Sequence, residues 1–295
     1  MLAGRKYKTT SKSNPKKALL LLVGMLFCTI GVASPNRKDS LTNIRSKGTV
    51  YAAWGYNRDW YSTSNIRFQN NNPQLINGRS YTYDFTIYKV KASDRPDFDK
   101  IKDVVNITIP QFGFRIGYLF NNIKDFGIEL NYDHTKYVVN EYQKVRIKGQ
   151  INGEYIDKDT ILDPDNFLRF EHTDGANFWM INVVKRWKLV ESKDQRFNIG
   201  WIVKPGAGIV YPRTAVKLFG NYINNNWKIS GIVAGVETGF RTEFFKNGFI
   251  EFTGKGVYAN YINALVQDRG NGKASHDFWA AEAILSLVYQ FNIKK

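Results

Sequence analysis

The stretch AEAILSLVYQF, Ala281–Phe291, decides how this chain folds. Ala281, Ala283, Leu285, Leu287, Tyr289 and Phe291 share one parity, while Glu282, Ser286 and Gln290 stand among the residues between them. Successive side chains of a strand point to opposite faces, so the segment predicts a strand with one apolar and one wet face. Alternation alone leaves open which face is the core.

Working outward, the same pattern recurs over residues 49–57, 111–120, 125–133, 177–187, 196–211, 230–244 and 249–262, which brings the count to eight. In the second of these, Phe112, Phe114, Ile116, Tyr118 and Phe120 oppose Gly113, Arg115 and Gly117. Connections after the second, fourth and sixth segments are short and polar (NNIKD, ESKDQ, FKNG), and those after the first, third, fifth and seventh are longer. An even strand number with alternating short and long connections predicts an all-β fold: a transmembrane antiparallel up-and-down barrel of eight strands, with tight periplasmic turns and extended outer loops.

The charges say which face points in. Opposite the apolar stripes lie Arg115, Glu129, Asp133, Arg186, Lys204, Glu237, Arg241, Glu243, Glu251, Lys255 and Glu282. This near-neutral set packs into a narrow lumen as mutually paired ions at lower cost than as separately buried ones. An eight-stranded barrel is just wide enough for its own side chains to fill it, which predicts a plugged, non-conducting lumen. The apolar stripes then face lipid, and Trp54, Tyr56, Tyr132, Trp179, Trp187, Trp201, Tyr211, Tyr258, Tyr289 and Phe291 fall on the outward parity expected of interfacial girdles. A soluble two-sheet sandwich is disfavoured, because its core-facing stripe should not be opposed by so many glycines and charges.

Composition agrees. The chain has 295 residues, 43% hydrophobic and 15% aromatic, and a mean hydropathy of −0.38, which argues against a helical membrane protein. The single long apolar run, residues 18–30, follows a basic segment and precedes GVAS, the order of a secretory signal peptide with cleavage after Ala33. Cys28 lies inside that run, so the exported chain would carry no cysteine. Residues 1–33 also contain six bases and no acid, so their loss lowers the formal net charge from +16 to +10. The expected organisation is a signal peptide (1–33), a short periplasmic segment (34–48) and an outer-membrane barrel (49–292). Basic charge with interleaved aromatics would fit nucleic-acid binding, but export from the cytoplasm argues for no nucleic-acid partner.

The eightfold pattern, the inverted faces and the terminal LSLVYQF together resemble the small outer-membrane barrels of Gram-negative bacteria, the OmpA-, OmpX-, OmpW- and PagP-type proteins. Phrases such as AWGYNRDWYS, YDFTIYKVKASDR, IPQFGFRIGY and FEHTDGANF are similar to uncharacterised outer-membrane barrels. The resemblance covers residues 49–291. It implies integral outer-membrane localisation, contact with membrane lipid and lipopolysaccharide, insertion by the barrel-assembly machinery, and an extracellular ligand or envelope partner of unknown kind. Asn292–Lys295 departs from a strictly terminal Phe.

The outer loops are where function is expected, since loops on a rigid scaffold carry it. In the first, Tyr83, Phe85 and Ile87 alternate as a strand; in the second, Asn152-Gly153 between KVRIKGQI and EYIDKDTI is a hairpin signal. The third, TAVKLFGNYINNNWKIS, is expected to continue strands five and six outward to an Asn-rich turn. His134, His172 and His276 each stand beside an acid near an outer strand end. His134 shares the lipid-facing parity of Tyr132, which leaves His172, Asp174 and His276 as the candidates for acyl transfer or deacylation on outer-membrane lipid, with Ser62, Thr63 or Thr173 as hydroxyls. No nucleophile elbow, metal-ligand spacing or phosphate loop accompanies them, so no cofactor and no metal are expected and a binding or structural role is favoured over catalysis. A small-solute channel is the third reading.

Overall fold

A computed structural model describes residues 48–76, 79–94, 111–121, 123–172, 174–192, 197–243, 247–267 and 272–293. The expected signal peptide and the segment after it lie outside the described residues, apart from Gly48. The described residues form strands and no helix.

Eight strands close into a barrel: β1 (Gly48–Tyr61), β5 (Phe112–Phe120), β6 (Phe126–His134), β11 (Phe178–Glu191), β12 (Asn198–Val210), β15 (Gly231–Glu243), β16 (Gly248–Gln267) and β17 (Gly272–Ile293). They pair antiparallel in that order, and β1 pairs β17 from Gly48↔Ile293 to Tyr61↔Ala280, so the ring has no free edge. Each of the eight strands anticipated from alternation is present.

Parity is kept around the ring. Along β5, Phe114 and Ile116 are exposed while Arg115, Gly117 and Leu119 are buried; along β17, Ala281, Leu285 and Phe291 are exposed while Glu282, Ile284, Ser286 and Val288 are buried. Gly117 shows why glycine interrupts the inner face: a Cβ there would run into the Tyr51 ring, which crosses the lumen at that level.

The outer surface carries aromatic rings at two levels. At the end bearing Gly48, Ile293 and the short connections, Trp187 stacks on Trp201 at 5.0 Å. At the opposite end, Tyr132 meets Trp179 at 4.6 Å and Tyr258 meets Trp279 at 5.2 Å. From Trp179 to Trp187, a strand rising ~3.3 Å per residue and tilted ~40° climbs about 20 Å, close to the ~25 Å apolar band of membrane barrels.

Beyond the second girdle rises a crown. β2 (Ser64–Ile76), β3 (Arg79–Val90), β8 (Lys144–Ile151) and β9 (Glu154–Ile161) extend the sheet from the upper part of β17. A second sheet is built from β4 (Ala92–Ser93), β7 (Tyr137–Val139), β10 (Leu168–His172), β13 (Ala215–Leu218) and β14 (Asn221–Asn224), in the order β14-β13-β10-β7-β4. The Asn152-Gly153 hairpin joins β8 to β9, with φ of +52° and +82° at the two turn residues.

Two loops differ from expectation. The third does not prolong strands five and six; it folds over as the β13–β14 hairpin into the separate sheet, and its tight turn is Phe219-Gly220 rather than the Asn-rich run. Phe219 is held in its positive-φ conformation by stacking on Tyr81 at 4.5 Å. The seventh loop is largely absent, because β16 and β17 continue past the girdle and leave only residues 268–271 between them.

One apolar cluster unites the crown and the upper lumen. It joins Phe68, Phe85, Ile147, Phe170 and Val216 of both crown sheets to Met180, Val233, Val257 and Phe278, which point inward from the barrel strands. A smaller cluster of Tyr51, Leu119, Val184, Phe249 and Val288 fills the lumen near the other end.

Candidate functional site

The lumen network is assembled by parity alone, since each strand contributes every second residue to one narrow space. The Arg115 guanidinium, with no exposed side-chain surface, lies 3.2 Å from Asp133, 3.1 Å from Glu237 and 3.8 Å from Glu129. Lys204 Nζ stands 3.1 Å from Glu129, 3.3 Å from Glu237 and 3.1 Å from Glu251. Lys255 pairs with Asp133, donates to Asn131 Oδ1 at 2.9 Å and lies 3.7 Å from Glu282. Neutral donors fill in: Tyr51 Oη and Asn182 Nδ2 donate to Glu129, and Thr253 Oγ1 donates to Glu237. Each base thus bridges several acids from different strands, which fastens the ring across its middle.

Arg115, Glu129, Asp133, Lys204, Glu237, Arg241, Glu251, Lys255 and Glu282 are buried, and Arg186 and Glu243 are half-buried. Arg186 and Arg241 sit at the short-turn mouth, where Arg186 donates to Asp125 and Arg241 donates to Gln290. The sequence reading missed Tyr51, Asn131, Asn182 and Asp59. Asp59 is buried and pairs in register with Glu282; its odd parity with Tyr51, Ala53 and Asn57 was the available signal, hidden by ending the first strand at Asn57.

The second cluster lies in the crown. β10 brings His172 and the upper part of β17 brings His276 to an Nε2–Nε2 distance of 3.2 Å, and Thr214 Oγ1 lies 2.9 Å from His172 Nδ1. Tyr261 stacks on both imidazoles, at 5.0 Å and 4.7 Å, and Phe170 and Tyr137 close the box. Both histidines are buried, and His276 Nδ1 has no hydrogen-bond partner among the described residues. Burial holds His172 well below the usual imidazole range, with His276 adding to the effect, and burial pushes His276 down to about 3. A contact between the two Nε2 atoms at that distance is a hydrogen bond when one ring carries its proton on Nε2 and the other does not.

Asp174 is not part of this cluster; its carboxylate pairs with Arg213 at 3.0 Å. Thr173 lies outside the described residues, and Ser62 is engaged at the rim, accepting from Trp279 N. His134 stays at the outer girdle, stacked on Phe112 and 2.9 Å from Asn177 Oδ1. Among the described residues no group of three or more His, Cys, Asp or Glu is arranged to hold a metal ion.

An apolar belt facing out, two aromatic girdles and a charged, self-paired interior define a membrane-spanning β-barrel, because such a belt needs hydrocarbon around it. Solved structures similar to this chain include Neisserial surface protein A, at 12% identity and a TM-score of 0.32 over 83% of this chain and 98% of that one. They also include the outer membrane protein OprG of Pseudomonas aeruginosa, at 14% and 0.37 over 84% and 97%, and the outer membrane protease OmpT of Escherichia coli, at 10% and 0.34 over 86% and 100%. No protein family and no curated protein matches the sequence. The assignment of class rests on strand register and face polarity.

Proposed function

We propose that the protein is an integral outer-membrane barrel with a non-conducting lumen, which holds a rigid β-rich crown on the outer surface for binding or for steadying the envelope. The carrying observation is the stacking of two plugs: the apolar crown core descends into the upper lumen, and the interlocked charges fill the section below it. A channel needs a continuous wet path, and both layers stand in its way. The crown's own hydrophobic core makes its outer surface a fixed platform. Such a platform presents a binding face without the entropy loss of ordering floppy loops.

Planar-bilayer recording on the purified full chain tests the reading. A silent bilayer at protein levels where a porin gives discrete steps is the expected result. Reproducible unitary currents, abolished by removing the protein, would overturn it.

A further inference from the structure

At the short-turn mouth of the barrel, opposite the crown, a cavity of about 190 Å³ opens between β11, β12, β15 and β17. A void of roughly 150 Å³ is enough to admit a benzene ring, so this one has room for a small molecule. Its wall holds three bases, Arg186, Lys188 and Arg241, against two acids, Asp125 and Glu243.

The hydrogen-bond inventory is incomplete on the cavity side. Arg186 Nη2 donates to Asp125 Oδ1 at 3.0 Å, but its Nε has no hydrogen-bond partner among the described residues. Arg241 is 3% exposed along its side chain; its Nη2 donates to Gln290 Oε1 at 2.9 Å and its Nη1 lies 3.5 Å from Glu251. Its Nε stands 3.4 Å from Glu243 Oε1 as an ion pair, yet makes no hydrogen bond. Asn198 donates to Glu243 through Nδ2 and leaves its buried Oδ1 without a partner.

Both guanidiniums belong to residues that line the same cavity. They belong to β11 and β15, which flank β12; Gly200 of β12 pairs with Arg241 on one side and with Lys188 on the other, and Arg186 sits one inward step along, paired with Ile202. With no side chain at Gly200, where a Cβ would meet only the Trp187 carbonyl, the cavity that both cations line stays open at that position. Two like charges facing a gap, each with an unspent N–H, favour an anion that accepts from both.

We propose that this mouth binds a small oxyanion group, a carboxylate or a phosphate, seated over Gly200 between Arg186 and Arg241, with Asn198 Oδ1 accepting from a donor beside it. The site is independent of the crown and of its role.

The test uses the full chain in phospholipid nanodiscs, titrated with inorganic phosphate and separately with alanine, and followed through the arginine Nε–Hε NMR signals. Saturable shifts of the Arg186 and Arg241 signals are expected. A response to alanine alone assigns a carboxylate ligand, a response to phosphate alone assigns a phosphate ligand, and a response to both supports the shared class. Losing one charge-assisted hydrogen bond weakens binding by about tenfold or more, so R186Q should show that loss. Gly200→Val fills the gap while keeping every charge and should weaken binding likewise, with folding checked by heat-dependent migration on a denaturing gel. No saturable shift with either probe, or unchanged affinity in a folded variant of either kind, overturns the proposal.

Discussion

At the scale of single residues, Arg115 shows how this interior works. Its guanidinium serves three acids on two strands, Glu129 and Asp133 of β6 and Glu237 of β15, and none of them has water to turn to. Removing one partner from a buried ionic cluster costs about 3–5 kcal/mol, because the remaining charges stay buried and uncompensated. Arg115→Leu should therefore lower the thermal unfolding midpoint sharply without changing where the protein resides. Adding Glu237→Leu should return part of the loss, since one of the carboxylates stranded by the first change is then removed while Lys204 keeps Glu129 and Glu251; equal midpoints for Arg115→Leu and the parent would argue against the network. The shared parity of charges such as Arg115, Glu129 and Glu237 was legible in the sequence because a period of two leaves no freedom once one face is assigned. Asp59 was not, since the register that carries it inward depends on β1 running to Tyr61, past the aromatic stripe used to mark its end.

At the scale of elements, the barrel strands declare themselves and the crown strands do not. β5 or β12 alternates over nine or more residues, whereas the second crown sheet is made of pieces two to five residues long, drawn from positions 92 to 224. Pieces that short carry no period, and their partners are chosen by packing on the common core, so Phe219-Gly220 became a turn where the Asn-rich run looked the better candidate. The meeting of His172 on β10 with His276 on β17 has the same origin. It makes the crown sensitive to acid. Above pH ~6.5 the histidines are neutral in both folded and unfolded chains, so they contribute no pH dependence. As pH falls below that value the unfolded chain binds protons that the folded crown refuses, and stability drops by about 1.4 kcal/mol per pH unit for each histidine, continuing toward the folded value of about 3 for His276. Hydrogen exchange of the β10 and β13 amides should accelerate between pH 6.5 and 5 while the β5 and β6 amides stay protected. Replacing both histidines with Phe should flatten that dependence, and an unchanged pH profile in the double variant would assign the acid response elsewhere.

At the scale of the whole molecule, the chain is a stack: crown core, charge layer, lower apolar cluster and a polar mouth. The fold class was readable from the sequence because lipid outside and charge inside reverse the usual pattern along every barrel strand. The vertical order was not, since it depends on which inward residues share a level, and strand stagger sets that only after closure. Closure itself is testable. Deleting residues 281–295 removes the partner of most of β1 and of the lower half of β16. The truncated chain should give no heat-modifiable band and should be degraded by protease; a folded, protease-resistant product would show that the ring forms without the lower part of β17.

The pairing of Gly48 with Ile293 has a consequence in time. The two ends of the described chain form a single seam, so the opening strand of the ring must wait, unpaired on one side, until the last one arrives. The pairings from β1 through β16 can form without β17, but the cylinder cannot shut before β17 joins both β16 and β1. Contacts this remote along a chain are the slowest to form, which makes the seam the natural final event of assembly.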